Sequence, residues 1–242
     1  METQENDPAQ FGFVLVHGAF HGSWCWVRVA DRLRESRSLV DAVDLPMTTL
    51  EDDARVVRDA IGRMRRRVSS VVVVGHSYGG VVVSASAHDA DTLVYVAAGM
   101  PDAGESAASS ADRMAVPAFD VSADGETITA SGRVAAEAFY GRCSSADVEY
   151  ALPRLRGLNV ATQRGKIHDP AWRSVRSSYV VCTEDRALSP QYQRERASKL
   201  DRTVTIVSDH SPFFSATDEL VAVIQEVAQP IGSGFISAKD GA

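Results

Sequence analysis

Short apolar runs alternate along this chain with longer segments in which apolar residues recur every three or four positions. The runs are Phe13–Val16, Leu39–Val43, Val71–Val74, Leu93–Ala98, Ser178–Cys182 and Val204–Val207. An uninterrupted run of β-branched residues such as Val71–Val74 is typical of a strand buried on both faces. Because strands here alternate with helices, we predict a mostly parallel sheet of about six strands with helices on both faces.

Two of the helical segments begin with residues that commonly cap helices. Ser23 precedes the apolar positions between Trp24 and Leu33, and Thr49 precedes those between Ala54 and Met64. A hydroxyl at the N-cap accepts a hydrogen bond from a free amide of the first turn. We therefore predict that Ser23 and Thr49 are N-caps.

The region from about residue 100 to 176 interrupts the alternation of strands and helices. It begins with a stretch rich in Ser, Ala and Gly and continues with segments predicted to be helical at Ala135–Tyr140 and Ala146–Leu158. We interpret it as a cap inserted over the strand ends, since it lacks a clear apolar core of its own. The chain then has a single domain over residues 11–230, with flexible tails at 1–10 and 231–242.

Composition and net charge limit the classes of partner that the chain is expected to bind. The net charge of −7 argues against nucleic acid. Four arginines cluster at positions 63, 65, 66 and 67, where we interpret them as cations favoured at a helix C-terminus rather than as an anion site. Residues 1–10 do not resemble a signal peptide, and no apolar run approaches the roughly 20 residues of a membrane span.

The three cysteines do not indicate a metal site. Cys25, Cys143 and Cys182 lie far apart in the sequence and form no metal-ligand spacing, which suits a reducing compartment. We therefore expect a cytoplasmic protein with a small-molecule substrate, without metal, cofactor, nucleic-acid or membrane partner, and compatible with a homodimer.

One sequence motif indicates a catalytic nucleophile. Gly75-His76-Ser77-Tyr78-Gly79 follows the run of four valines and precedes the small, apolar segment Gly80–Ala87. A serine between two glycines on a sharp strand-to-helix turn is the arrangement of a nucleophile. A passive serine in a Gly-rich turn is the alternative, and the strand–turn–helix context disfavours it.

A serine nucleophile needs a base, which in turn needs an orienting acid. Of the six histidines, His210 alone follows the last predicted strand, in the chain order Ser–acid–His. The acid is expected in the loop after Cys182, where Glu184 and Asp185 are equally placed. Asp209 is adjacent to the base and would need unusual backbone geometry, and Asp102 is a further candidate.

The oxyanion of such a reaction is stabilised by backbone amides. One amide comes from Tyr78, directly after the nucleophile, and the other from the loop after the first strand. In that loop Gly18 and Gly22 give the backbone freedom, and either Ala19 or Phe20 supplies the N–H.

These motifs resemble the α/β-hydrolase superfamily, in particular the branch of plant-type methyl esterases, hydroxynitrile lyases and related bacterial esterases. The matching segments are Val14–Trp26, Asp44–Pro46, Gly75–Gly80, Leu93–Ala98, Tyr179–Pro190 and Ser208–Leu220. The resemblance implies the α/β-hydrolase fold with a cap insertion. It also selects Asp185, five residues before Pro190, as the acid, and assigns the oxyanion amides to Ala19 and Tyr78.

The chain departs from the lyases of that branch. By resemblance, hydroxynitrile lyases carry Lys after the base and Thr after the first-loop His, where this chain has Ser211 and Gly18. Without that lysine nothing obvious stabilises a leaving cyanide, so ester hydrolysis is favoured. The loop after Asp44-Leu45-Pro46 is also shorter than in the family, which predicts an open rim of the pocket.

We therefore expect a serine hydrolase of a small, largely apolar ester, lactone or thioester, with Ser77, His210 and Asp185 as catalytic triad. The alternatives are a same-fold lyase or cyclase with His210 as base, and a non-catalytic small-molecule receptor. Apolar pockets suit such substrates, although any one aromatic residue can equally belong to the core. The residues predicted to bind substrate are Phe20, Tyr140, Trp172 and Phe213, from a set that also includes Tyr78, Met114, Phe119, Phe139 and Phe214.

Overall fold

Six parallel strands form the central sheet of the computed structural model, which describes residues 11–109, 119–130 and 132–229. The described residues form nine strands in all, which are β1 (Phe11–Val16), β2 (Leu39–Val43), β3 (Ser70–His76), β4 (Thr92–Val96), β5 (Asp120–Val121), β6 (Thr127–Thr129), β7 (Leu158–Asn159), β8 (Ser177–Cys182) and β9 (Arg202–Ile206). Of these, β5, β6 and β7 lie outside the central sheet. The central sheet has the order β2-β1-β3-β4-β8-β9, with every neighbouring pair parallel. This confirms the predicted sheet of about six strands.

Helices flank the sheet. They are α1 (Val27–Glu35), α2 (Leu50–Arg65), α3 (Tyr78–Ser86), α4 (Gly132–Phe139), α5 (Ser145–Ala151), α6 (Ala161–Arg164), α7 (Pro190–Ala197), α8 (Pro212–Ser215) and α9 (Thr217–Ala228). Among the main-domain helices, α1 packs against α9 and α2 packs against α3. Within the described ranges, no helix has the length and apolar character needed to cross a membrane.

The register of the central strands brings two polar loops together. Residues 71–74 in the middle of β3 are almost fully buried, as expected for a strand covered on both faces. Val16 at the end of β1 lies opposite Gly75 of β3. His17 and Ser77 therefore leave the sheet side by side at its carboxyl edge, where open α/β sheets bind ligands.

One of the two predicted N-caps is confirmed and the other is wrong. The Thr49 hydroxyl accepts a hydrogen bond from the Asp52 amide at 3.1 Å at the start of α2. The Ser23 hydroxyl instead donates to the Asp44 carboxylate at 2.7 Å. A short 3-10 turn over Ser23–Trp26 then leads into α1. Hydrogen bonds to a carboxylate are stronger than those between neutral groups, which accounts for the competition.

The region interpreted as an insertion contains elements that the pattern predicted and others that it did not. Helix α4 covers most of the segment expected at Ala135–Tyr140. The second segment is helical only to Ala151, followed by a 3-10 turn to Arg154, so the prediction of helix to Leu158 is wrong. Pro153 explains the change, because proline disfavours continuation of an α-helix.

Beyond that turn the chain forms β7, which completes a small antiparallel sheet with β5 and β6. Strands of two or three residues are too short to show a periodic pattern in the sequence. The predicted tails and Met114 lie outside the described residues.

The arginine cluster lies at the opposite, amino-terminal edge of the sheet, at the end of α2. Arg63 pairs with Asp41 at 3.0 Å, and Arg66 donates to the Gly62 carbonyl at 2.8 Å. An open cavity of about 590 Å³ beside them is lined by arginines, one aspartate and the edge strand β2, with no histidine, cysteine or glutamate. This cavity is remote from the motifs that carry the chemistry.

Candidate active site

Ser77 occupies a strained turn between β3 and α3. Its φ of 52° and ψ of −123° lie in a region that residues with a side chain rarely adopt. Hydrogen bonds hold the turn, from the Ser77 amide to the Val96 carbonyl (3.2 Å) and from the Gly99 amide to the Ser77 carbonyl (3.0 Å). A Cβ on Gly79 would lie 2.6 Å from the carbonyl oxygens of β1 and its loop, so this position requires glycine.

The predicted base and acid are in direct contact. His210 Nδ1 lies 2.7 Å from Asp185 Oδ2, and both side chains are buried. The other oxygen, Asp185 Oδ1, accepts from the amides of Ala187 (2.7 Å) and Leu188 (2.9 Å). Gln193 Nε2 donates to Oδ2 at 2.8 Å. These donors fix the carboxylate and leave it suited to hold a proton on His210 Nδ1.

The competing carboxylates lie in other interactions. Glu184 is exposed and pairs with Arg142 at 2.7 Å. Asp209 is buried, and its Oδ2 accepts from the Arg142 amide at 2.7 Å, which ties the insertion to the loop after β9. Asp102 pairs with Arg173 at 3.2 Å and with Arg196 at 3.3 Å. None of the three bonds to the His210 imidazole in the described ranges.

His76 connects the predicted base, His210, to the turn that carries Ser77. Its Nε2–H donates to the His210 carbonyl at 2.7 Å, and the two rings lie 4.7 Å apart. The base is thereby held beside the residue that precedes Ser77. In the described part of the chain, no hydrogen bond joins the Ser77 hydroxyl to the imidazole; such bonds commonly tighten only when substrate is bound.

The loop after β1, residues 17–22, contains the Ala19 amide that is predicted to bind the oxyanion; we refer to it as the oxyanion loop. The Gly18 carbonyl accepts from His17 Nδ1 at 2.8 Å. Because C=O and N–H point in opposite directions in a trans peptide, this bond directs the Ala19 N–H away from His17. A Cβ on Gly18 would lie 2.8 Å from Ser77 Cβ, so the loop is packed directly against Ser77.

The Ala19 and Tyr78 amides both lack an acceptor among the described residues. Tyr78 is the first residue of α3, where the helix leaves its amides free. The Tyr78 side chain points elsewhere, because its hydroxyl donates to Asp53 of α2 at 2.6 Å. Tyr78 thus offers its backbone to the site while its ring anchors α3 to α2.

Three buried histidines around Ser77 are held neutral. His17 Nε2 accepts from the Leu45 amide (3.0 Å), and His21 Nδ1 donates to the Ala19 carbonyl (2.8 Å). Burial lowers the pKa of His17 to about 4 and that of His21 to about 3. Burial also places the pKa of His76 well below its ordinary value. The neutral rings can therefore act as both donor and acceptor.

These histidines predict acid sensitivity. Below about pH 6.5 the unfolded chain takes up protons that the folded chain excludes, so stability falls as the pH decreases towards 4. Each histidine contributes a slope of at most about 1.4 kcal/mol per pH unit, reached in the middle of that interval. Urea unfolding at pH 7, 6 and 5 measures it. His21→Gln is expected to reduce the proton uptake on unfolding by about one, and a stability that is flat from pH 7 to 5 would contradict neutral histidines.

Aromatic side chains surround the rings of His76 and His210. Phe20 lies 4.8 Å from Phe119, Phe213 lies 5.1 Å from the His76 ring, and Phe139 lies 5.7 Å from the His210 ring. Tyr140 completes this aromatic cluster through a 2.8 Å hydrogen bond to His21 Nε2. Three of the four residues predicted to bind substrate are therefore brought together here: Phe20, Tyr140 and Phe213.

Trp172 is the exception. Its Nε1–H donates to the Pro101 carbonyl at 2.8 Å, and the cations of Arg173 and Lys199 lie over its ring. No ring contact links it to the aromatic cluster in the described ranges. Trp172 is therefore left out of the proposed pocket.

Three supporting residues were not predicted from the sequence. Gln193 of α7 holds Asp185, and Arg156 of the insertion reaches the oxyanion loop. Asp53 accepts from Tyr78 and from the Met47 amide. Of these only Asp53 had a signal, because it lies on the apolar face of α2 beside Ala54, where an isolated acid needs a buried partner.

The sequence and the fold resemble those of known proteins. A model of the alpha/beta hydrolase family matches residues 13–223. The chain is 29% identical to methylesterase 7 of Arabidopsis thaliana, over 89% of this chain and 95% of that protein. It is 26% identical to norfluorocurarine synthase 2 of Strychnos sp, over 93% and 98%. The crystal structure of polyneuridine aldehyde esterase superposes with a TM-score of 0.80 at 21% identity, over 91% and 100%. The chain therefore belongs to the alpha/beta hydrolase family.

Proposed function

We propose that this protein is a carboxylic ester hydrolase that cleaves a small, largely apolar ester, lactone or thioester through an acyl-enzyme. The observation that carries the proposal is the strained Ser77 turn beside a buried His210–Asp185 pair with a 2.7 Å contact. The similarity to methylesterase 7 supports the ester as substrate class.

The first half of the reaction forms the acyl-enzyme. Ser77 Oγ attacks the substrate carbonyl carbon while His210 Nε2 takes its proton, and Asp185 stabilises the imidazolium. The carbonyl electrons move onto oxygen, where the Ala19 and Tyr78 amides stabilise the charge. The intermediate then expels the alcohol or thiol, which takes the proton from His210, and leaves the acyl group on Ser77.

The second half releases the acid. His210 removes a proton from a water molecule, whose oxygen attacks the acyl carbon, and the same amides stabilise the second oxyanion. Collapse returns the proton to Ser77 Oγ and frees the carboxylic acid. Because each half needs only these groups, the reaction requires no cofactor.

A lyase or cyclase reaction with His210 as base is the second candidate. The similarity to norfluorocurarine synthase 2 favours this candidate, because that relative is named as a synthase and not as a hydrolase. Two positions favour hydrolysis instead. The Ser211 hydroxyl supplies no cation beside the base, and the Gly18 position leaves no room for the threonine that the lyases carry there.

Assay of the purified protein against a substrate panel tests this proposal. The panel contains aryl and methyl esters, lactones and thioesters of short apolar acids, together with a cyanohydrin and a β-keto acid. We expect turnover of esters or related acyl compounds only. Cleavage of the cyanohydrin or decarboxylation of the β-keto acid, without ester turnover, would favour the lyase alternative, and ligand binding without any turnover would favour a receptor.

The aromatic cluster predicts substrate preference. Phe119 is half-buried against Phe20, so Phe119→Ala should enlarge the acyl site. We expect the ratio of kcat/KM for octanoyl to acetyl p-nitrophenyl esters to rise roughly tenfold, the scale of a few methylene contacts. Trp172→Ala is the control and should leave the ratio unchanged. Equal effects of the two substitutions would place the acyl site elsewhere.

A further inference from the structure

Arg156 reaches from the insertion into the oxyanion loop. Its backbone N–H donates to the Phe20 carbonyl at 2.9 Å. Its side chain donates from Nε to the His21 carbonyl at 2.9 Å and from Nη2 to the Leu45 carbonyl at 2.8 Å. One residue thus binds two carbonyls of the oxyanion loop and one of the loop after β2.

The guanidinium also sets the state of His17. Arg156 Nη2 lies 3.3 Å from His17 Nε2, which already accepts from the Leu45 amide. A cation and a second donor at this nitrogen exclude a proton from it, so the proton of the neutral ring resides on Nδ1. That proton is donated to the Gly18 carbonyl, which directs the Ala19 N–H.

We propose that Arg156 is a positioning residue for the oxyanion-binding amide of Ala19, so that the insertion completes the oxyanion hole. The inference rests on the proposed function. Arg156 touches no reacting atom and acts through His17 and the carbonyls of the oxyanion loop.

The contacts differ from those of an ordinary surface ion pair. The nearest carboxylate oxygen, on Asp44, is 3.7 Å from Nη2, beyond hydrogen-bond distance, whereas the loop carbonyls are at 2.8–2.9 Å. Arg154, two residues earlier, donates to the Tyr150 carbonyl within its own segment and lies over the Tyr150 ring. Arg154 therefore has the same charge without the connection and provides a matched control.

Steady-state kinetics of Arg156→Gln, Arg156→Lys and Arg154→Gln test the inference. For Arg156→Gln we expect kcat to fall on the order of 10²-fold, the scale of losing one oxyanion donor, with KM changed less than about twofold. The affinity for a trifluoromethyl ketone, which forms an oxyanion on the nucleophile, should fall in parallel with kcat. Arg156→Lys should recover part of the loss, and Arg154→Gln should match the unsubstituted protein.

Two further measurements separate positioning from a merely structural role. The melting temperature of each variant is measured, and Arg156→Gly is assayed with added millimolar guanidinium ion. Recovery of kcat by guanidinium supports positioning. Unchanged kcat in Arg156→Gln, an effect confined to KM, or full trifluoromethyl ketone affinity despite lower kcat would overturn the inference.

Failure of this inference can be distinguished from failure of the proposed function. If Ser77→Ala retains ester turnover, the proposed function fails. If Ser77 is essential and Arg156→Gln is fully active, only the role of Arg156 fails.

Discussion

Replacement of Ser77 by alanine is expected to reduce kcat for ester hydrolysis by about 10⁶-fold, as loss of the nucleophile does in serine hydrolases with a triad. The fold should remain intact, because alanine meets the same backbone strain at φ 52° as serine does. Initial rates with a p-nitrophenyl ester and circular dichroism measure the two effects.

Ser211→Ala is the matched control for that substitution. The Ser211 hydroxyl is buried next to the base and has no hydrogen-bond partner among the described residues. It should be close to fully active. Near-normal hydrolysis by Ser77→Ala would exclude the acyl-enzyme mechanism, and turnover of a non-ester substrate by that variant would favour a lyase or cyclase with His210 as base.

Asp185→Asn is expected to lower kcat by about 10⁴-fold, since an amide facing His210 Nδ1 favours the wrong tautomer of the base. The substitution also removes a charge that accepts hydrogen bonds from two backbone amides and from Gln193. A lower melting temperature is therefore expected as well. Initial rates at several pH values and thermal melts measure these effects.

Glu184→Gln provides the comparison, because Glu184 is exposed and pairs only with Arg142 among described residues. Surface pairs of this kind contribute about 0–1 kcal/mol, so activity and stability should change little. A severe loss in Glu184→Gln together with mild behaviour of Asp185→Asn would show that the acid was assigned to the wrong carboxylate.

The central sheet and the nucleophile turn could be predicted because their signals are local. The four valines of β3 lie directly before the Gly75–Gly79 motif, so a buried strand and a sharp turn are visible within ten residues. His210 follows the last strand in the sequence, and the carboxyl ends of parallel strands meet at one edge of the sheet. Its placement at the same edge as Ser77 could therefore be predicted. The choice between Glu184 and Asp185 needed resemblance to a family, since periodicity treats neighbours in a loop alike.

The supporting contacts could not be predicted because they join distant parts of the chain. Arg156 lies 135 residues from His21, and its surroundings in the sequence resemble any polar segment of an insertion. Residue type alone also suggested Trp172 as a pocket residue. Its indole N–H binds Pro101, and two cations cover the ring. Amphipathic aromatic residues satisfy either environment, so type alone does not place them.

The site of modification by a fluorophosphonate tests the central proposal, a serine activated by a His–Asp pair, most directly. Peptide mass spectrometry should find one adduct per chain, on the peptide that contains Ser77. The adduct should be lost in His210→Ala and slowed strongly in Asp185→Asn, because the base raises the nucleophilicity of the serine. A catalytically active protein that remains unlabelled, or that carries the adduct on another residue, would contradict the proposal.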